Sequence, residues 1–366
     1  MKKLTIVALV IVLVVSCLVF TGCGKKEEQQ KNNDKYEIAL VTDVGNIDDK
    51  SFNQGTWEGV EAYAKANNIS YNYYKPSEDS TAARLESIKT AIETGAKVVV
   101  CPGMLCEEAI YQAQTQYPDV QFLLIDGEPH DENYKYKTEK NVHCILFQEE
   151  QSGYFAGYAA VMEGYRKLGF LGGMDVDAVI RFGFGFVQGA NDAAKELGVE
   201  KDVSIKYWYS GVFSASDEIK TKMEAWYSEG TEVVFACGGQ IYLSAVSAAE
   251  AANGKVIGVD VDQSAESKVI ITSAMKELKN SVVLALGELY GTQNKKWPED
   301  LAGKTSKLGA KDNCVGLPTA KESWRLTKFT VEEYNKLFED VKSGKIEVSN
   351  DIKNNPKTSI KVDYQN

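Results

Sequence analysis

Histidine is almost missing from this chain: His130 and His143 are its only two in 366 residues. Histidine-based acid–base catalysis and a His/Cys zinc site therefore have little to draw on. Lysine- or arginine-rich runs are missing as well, and the formal net charge of -11 offers no basic face to a phosphate backbone, which argues against a nucleic-acid partner. No G-x-x-x-x-G-K-S/T, H-E-x-x-H or G-x-S-x-G is present, so no visible motif calls for a phosphate loop, a metalloprotease zinc or a serine nucleophile. Cysteine is present, seven in all, but Cys17 and Cys23 fall in the N-terminal segment and the remaining five make an odd number without a C-x-x-C pair. Cys101 and Cys237 sit inside apolar runs, where a free thiol acts as a small hydrophobe. No metal, no cofactor and no catalytic residue is expected.

Long apolar stretches are rare, and the one from Ile6 to Phe20 follows Lys2 and Lys3 and stops at Thr21, Gly22 and Cys23. That is the layout of a secretory signal. A membrane span is the alternative, but the run is shorter than the ~20 residues a span needs and lacks a basic stop-transfer flank. Thr21 and Gly22 before Cys23 resemble the bacterial lipobox, whose cysteine is acylated and becomes the mature N-terminus; Phe20 stands where that motif prefers leucine. A signal peptide over 1–22 and a lipidated tether over 23–34, charged and amide-rich, are thus expected. The resemblance implies anchoring at the cell membrane on its extracytoplasmic face. About 330 residues from Lys35 onward suffice for two domains.

Short apolar runs recur through that part: EIALVTD, KVVVCPG, QFLLIDG, KLGFLGG, EVVFACGG and KVIGVDVD. Each reads as a buried parallel strand. Amphipathic helical patterns lie between them at 52–67, 80–94, 105–116, 150–165, 178–197, 216–229, 240–252 and 274–292. The alternation predicts an α/β fold of two doubly wound parallel-sheet lobes. A last helix follows Thr330, a plausible N-cap with Glu333 three residues on. The final dozen residues are polar and read as a loose tail. Open parallel sheets take ligands beyond the carboxyl ends of their strands. Those ends are Asp43, Pro102 with Gly103, Asp126, Gly172 with Gly173, Gly238 with Gly239, and Asp260.

Residues 41–59, VTDVGNIDDKSFNQGTWEG, crowd Asp43, Asp48, Phe52 and Asn53 around one helix N-terminus. An aromatic ring beside an amide and a carboxylate suits a flat polar ligand; Asp49 and Ser51 read instead as helix caps. In IRFGFGFVQG, residues 180–189, the glycines have the wrong last spacing for a dinucleotide fingerprint. Gly183 and Gly185 read as close helix packing, Phe186 as core, and Phe182 as a second aromatic face. Asp260 ends GVDVDQS, Asp262 reads equally as surface charge, and Lys276 is predicted on a helix starting near Thr272 or Ser273. A strand-end carboxylate can accept bonds from vicinal hydroxyls.

DDKSFNQ, EEQSGYFAGYAA, GFLGGM, IRFGFGFVQGA and GVDVDQS, in this order over nearly the whole mature chain, resemble the basic membrane protein family of bacterial lipoproteins. The likeness is closest to the purine-nucleoside-binding members that serve ABC transporters. It implies a type I periplasmic-binding-protein fold, with lobes of 35–147 plus 269–300 and of 148–268 plus 301–366, and hinge crossings near 148, 268 and 300. It further implies a purine nucleoside (adenosine, guanosine or inosine) stacked between Phe52 and Phe182, with polar contacts from Asn53 and Asp43. Asp126 and Asp260 would accept the ribose hydroxyls, Lys276 would be a charged partner, and Gly238 and Gly239 would let the backbone approach. GGQIYLS, where the family often differs, leaves the base preference open. A monomer whose closure is read by a permease is expected. A sugar or other small polar solute is the alternative ligand. A nucleoside hydrolase, supported by the DDK segment alone, or a surface receptor without a deep cleft are further alternatives.

Overall fold

The strands form where apolar runs can be covered on both faces. In the computed structural model residues 35–365 are described; the expected signal peptide over 1–22 and tether over 23–34, with Cys23, lie outside the described residues. The first half of the fold runs β1 (Ile38–Val41), α1 (Phe52–Asn67), β2 (Tyr71–Tyr74), α2 (Thr81–Glu93), β3 (Val98–Pro102), α3 (Glu107–Gln116), β4 (Gln121–Ile125) and β5 (Val142–Phe147). The second runs α4 (Glu149–Glu163), β6 (Lys167–Gly172), α5 (Asp177–Leu197), β7 (Ser204–Tyr209), α6 (Asp217–Ser228), β8 (Val233–Cys237), α7 (Ile241–Ala252) and β9 (Lys255–Asp260). Then come β10 (Ile270–Lys276), α8 (Leu278–Gly291), β11 (Lys304–Leu308), β12 (Val315–Gly316), α9 (Val331–Lys342) and β13 (Lys361–Gln365). β1, β3 and β4 are buried along their whole length, as central parallel strands sandwiched between helix layers must be.

Two sheets result, ordered β11-β5-β4-β3-β1-β2 and β12-β10-β9-β8-β6-β7-β13. Every pairing in the first is parallel; in the second only the short β12 runs antiparallel, against β10. This is the doubly wound α/β architecture that the strand–helix alternation predicts, in the two-lobed type I binding-protein form that the family resemblance implies. Among the described residues no helix is long and apolar enough to cross a membrane. Thr330 caps α9 in a reciprocal box with Glu333.

Three readings need correction. Residues 270–276, assigned with 269–300 to the first lobe, pair with β9 in the second sheet, and Lys276 ends a strand rather than sitting in a helix. Thr272 and Ser273 imitate an N-cap in sequence, yet the Ile-Ile-Thr run favours an extended chain, and both hydroxyl residues are fully buried in it. Residues 304–308, assigned to the second lobe, pair with β5 in the first sheet. The later two passages between sheets therefore follow Lys276 and Leu308 rather than 268 and 300, while the first runs through Gln148. Finally, the polar C-terminus is not a loose tail: Lys361–Gln365 pairs in parallel with β7. Its alternating KVDYQ is an edge-strand pattern.

The glycines of the 180–189 segment act by close approach. A Cβ at Gly185 would fall 2.0 Å from the Glu150 carbonyl oxygen, and one at Gly189 2.0 Å from that of Tyr154. Gly153 and Gly157 of α4 meet the Phe182 and Phe186 carbonyl oxygens in the same way. The two helix backbones thus touch, which holds the first turns of α4 and α5 against the sheet ends.

Candidate functional site

A cavity of about 470 Å³ opens between the carboxyl ends of the two sheets. Asp43, Phe52, Asn53 and Asp126 line it from the first lobe, and Phe182, Gly238, Gly239, Asp260 and Lys276 from the second. All nine residues to which the family resemblance gives ligand roles thus line one space, though their places in it differ, whereas Asp48 of the same cluster does not line it.

Asp126 follows β4 and Asp260 ends β9, and both adopt left-handed backbone, with φ of 56° and 65°. Such conformations cost a non-glycine residue ~1 kcal/mol or more and concentrate at functional sites. Both carboxylates reach the Lys276 ammonium, Asp126 through a hydrogen-bonded ion pair and Asp260 at 3.4 Å. Glu149, the first residue of α4, lies 3.7 Å from the same ammonium and accepts from Arg181 Nε at 2.6 Å. Burial alone would depress the Lys276 pKa, but Asp126, Asp260 and Glu149 together hold it above its ordinary value. Burial, helped by Asp126, pushes the Glu149 carboxyl up to about 8 against the pull of Arg181 and Lys276. The ammonium also sits over three rings, 4.5 Å from the centre of Phe52, 5.4 Å from Phe182 and 5.7 Å from Phe147.

On the first lobe, Asp49 caps α1: its carboxylate accepts the N–H groups of Ser51, Asn53 and Gln54 and the Asn53 side-chain amide. Ser51 does not cap. Its hydroxyl donates to Asp260 Oδ2 at 2.5 Å, joining the two lobes. Asn53 is used up within the protein, donating to Asp43 at 2.8 Å and Asp49 at 3.0 Å while its oxygen accepts the Asp43 N–H. It holds Asp43, whose Oδ1 also takes the Gly45 N–H. Burial raises the pKa of Asp43, and that of Asp49 to about 6, against these donors.

On the second lobe, Phe182 lines the cavity but is only 2% exposed, its ring packed edge-on against Phe235. Gly238 and Gly239, at φ of 140° and 53°, are covered by Phe213: a Cβ at Gly238 would fall 2.9 Å from its ring, and one at Gly239 2.7 Å from its carbonyl oxygen. The bare backbone therefore makes room for Phe213, ring and main chain, rather than for a ligand alone. Phe213 is half-buried, lines the cavity, and lies in a polar loop with no periodicity to mark it. Glu149, Arg181, Glu107, Tyr134 and Tyr136 likewise went unselected; the carboxylate pair opening EEQSGYFAGYAA was the available signal for Glu149.

The chain is similar to the "ABC transporter nucleoside-binding protein BmpA" of Lactococcus lactis, 30% identical over 76% of this chain and 82% of that one. It is 28% identical to Basic membrane protein B of Borreliella burgdorferi, over 85% and 89% of the two chains. In fold it resembles an ABC transporter solute-binding protein of Aeropyrum pernix, with a TM-score of 0.71 at 22% identity over 86% of this chain and 94% of that one. The Bmp family model, described as ABC transporter substrate-binding protein PnrA-like, matches residues 36–355. With that match spanning both lobes and the cavity between them, the chain belongs to the Bmp family of ABC transporter substrate-binding proteins.

Proposed function

We propose that the chain is a lipid-anchored, extracytoplasmic receptor that holds one purine nucleoside between its lobes and presents it, as a monomer, to a membrane permease. The observation that carries this reading is that Phe52 and aromatics of the opposite lobe, Phe182 and the more open Phe213, line one cavity together with Asp43, Asp126 and Asp260. Flat rings suit the two faces of a base, and carboxylates suit the hydroxyls of a ribose. Lys276 pairs with Asp126 and Asp260, so a neutral ligand meets these two carboxylates with a counter-charge already beside them. The nucleoside-binding name of the Lactococcus relative supports the same class. Cys23, after Thr21 and Gly22, is the proposed acylation site.

Titration calorimetry with adenosine, guanosine, inosine, free ribose and AMP tests the ligand. Nucleosides should bind at micromolar concentration or below; tight binding of free sugars with none of nucleosides would overturn the reading. For the anchor, Cys23→Ala should release the protein from membranes, and its retention there would remove the lipidation claim.

A further inference from the structure

Residues 127–140 connect β4 to β5 over the mouth of the cavity. Their tip is a tight hairpin: His130 and Tyr136 form an antiparallel bridge, the Asp131 carboxylate accepts the N–H groups of Asn133 and Lys135, and the Lys137 N–H bonds the Pro129 carbonyl. Tyr134 and Tyr136 line the cavity yet remain 69% and 58% exposed. Both rings rest on the His130 imidazole, Tyr134 stacked at 4.7 Å and Tyr136 edge-on at 5.2 Å. The two tyrosine rings that the hairpin shows to the cavity are therefore carried by a histidine that is itself buried, at 5% exposure.

That histidine is tied to α3 by one proton. Its Nδ1 lies 2.7 Å from the Asp131 carbonyl oxygen, which only accepts, so Nδ1 carries hydrogen. Its Nε2 lies 3.1 Å from Glu107 Oε2. This contact is attractive with one proton between the two atoms, held by either, and repulsive with none, when two lone pairs face each other. Glu107 Oε1 meanwhile accepts the Glu128 N–H at 2.7 Å, fixing the carboxyl in place.

We propose that residues 127–140 are a proton-dependent gate of the cleft, seated while Glu107 and His130 share a proton and released when that proton is lost. The groups facing the pair support this sense. Glu128, Asp131, Tyr134, Lys135 and Tyr136 come from the hairpin itself, and Asp177 comes from the first turn of α5 on the other lobe. Burial first, and Asp177 in addition, raise the Glu107 carboxyl to about 7, against the Glu128 N–H and His130. Asp177 acts on Glu107 across the cavity, so closing the lobes strengthens proton retention and opening them weakens it. By reciprocity, protonation favours closure and solute affinity rises as pH falls, by at most about tenfold per pH unit for one linked proton. This consequence rests on the cleft being a solute site, whereas the gate itself is testable without any solute.

Hydrogen exchange of the ligand-free protein between about pH 6 and pH 8.5, corrected for the intrinsic rate, reads the gate through amides 128–137. Protection should fall about tenfold or more in the wild type as pH rises. Glu107→Gln should keep full protection throughout, because its amide nitrogen donates to the bare Nε2 and its oxygen accepts the Glu128 N–H. His130→Phe, which keeps the ring stack, should be unprotected at every pH. A flat wild-type profile, or an unchanged transition in Glu107→Gln, would overturn the proposal.

Discussion

Asp126 and Asp260 hold equivalent posts in the two lobes: each stands at the carboxyl end of a central strand with left-handed φ, and each carboxylate reaches the same Lys276 ammonium. The residues presumed to be independent ligand contacts are thus one electrostatic unit, and their substitution should be strongly non-additive.

Lys276→Met should leave Asp126 and Asp260 facing one another without their counter-charge, while Glu149 keeps Arg181. Breaking a buried pair from one side costs about 3–5 kcal/mol, so Tm should fall by roughly 10 °C. The double change Asp126→Asn with Lys276→Gln should be less damaging than Lys276→Met alone. Scanning calorimetry decides; a Tm within experimental error of wild type for Lys276→Met contradicts the unit.

Phe213 and Phe182 should separate by readout. Phe213→Ala, like Phe52→Ala, should weaken nucleoside binding by about 10- to 100-fold, the size of a lost base–aromatic stack, with little change in Tm. Phe182→Ala should instead cost about 3–5 kcal/mol of stability, because its ring is packed on Phe235. Calorimetric titration and melting of the three variants side by side check the division.

Gly157→Ala and Gly185→Ala should each prevent soluble expression or lower stability by more than about 4 kcal/mol. Their added methyl groups would overlap the Phe186 and Glu150 carbonyl oxygens of the facing helix, 2.0 Å away. Gly198→Ala is the control: nothing lies within 4 Å of its Cβ position, so only its φ of 67° is disturbed. A Gly185→Ala protein as stable as Gly198→Ala would count against the helix contact.

Stability should decline as pH rises. Burial leads in pushing Asp49 up to about 6, Glu107 to about 7 and Glu149 to about 8, from ordinary values of 3.8 and 4.5. A carboxyl whose folded pKa is raised contributes stability fully present below its unfolded pKa and lost as pH climbs through the folded one. The window therefore runs from about pH 4 to pH 8. Melting in constant ionic strength should show Tm several degrees lower at pH 8.5 than at pH 5; a rise over that interval would refute the sign.

Strand ends carried most of what could be read in advance. Parallel sheets force their central strands into continuous apolar runs, so β1, β3, β4, β6, β8 and β9 stand out, and the residues terminating them had to converge. β11 and β13 did not stand out, because edge strands half-exposed to solvent have no apolar run to show. Lys276 was found by its charge and misplaced by its neighbours, since serine and threonine serve equally before a helix and inside a strand. Asn53 was identified as a site residue without revealing that its amide is consumed by two aspartates. Phe213 escaped because what distinguishes it is the pair of glycines it covers, and they lie more than twenty positions downstream in another strand–helix turn.

The sheet order has a bearing on how the chain acquires its fold. The first sheet is completed by β11 and the second by β13, segments made after most of the molecule has been synthesised. Gln365 pairs beside Trp208, so the outer edge of β7 stays uncovered until residues 361–365 emerge. Pairing of such distant segments closes large loops and is slow. Synthesis will therefore outpace acquisition of the finished fold, and the newly made polypeptide passes through a stage in which neither lobe is complete.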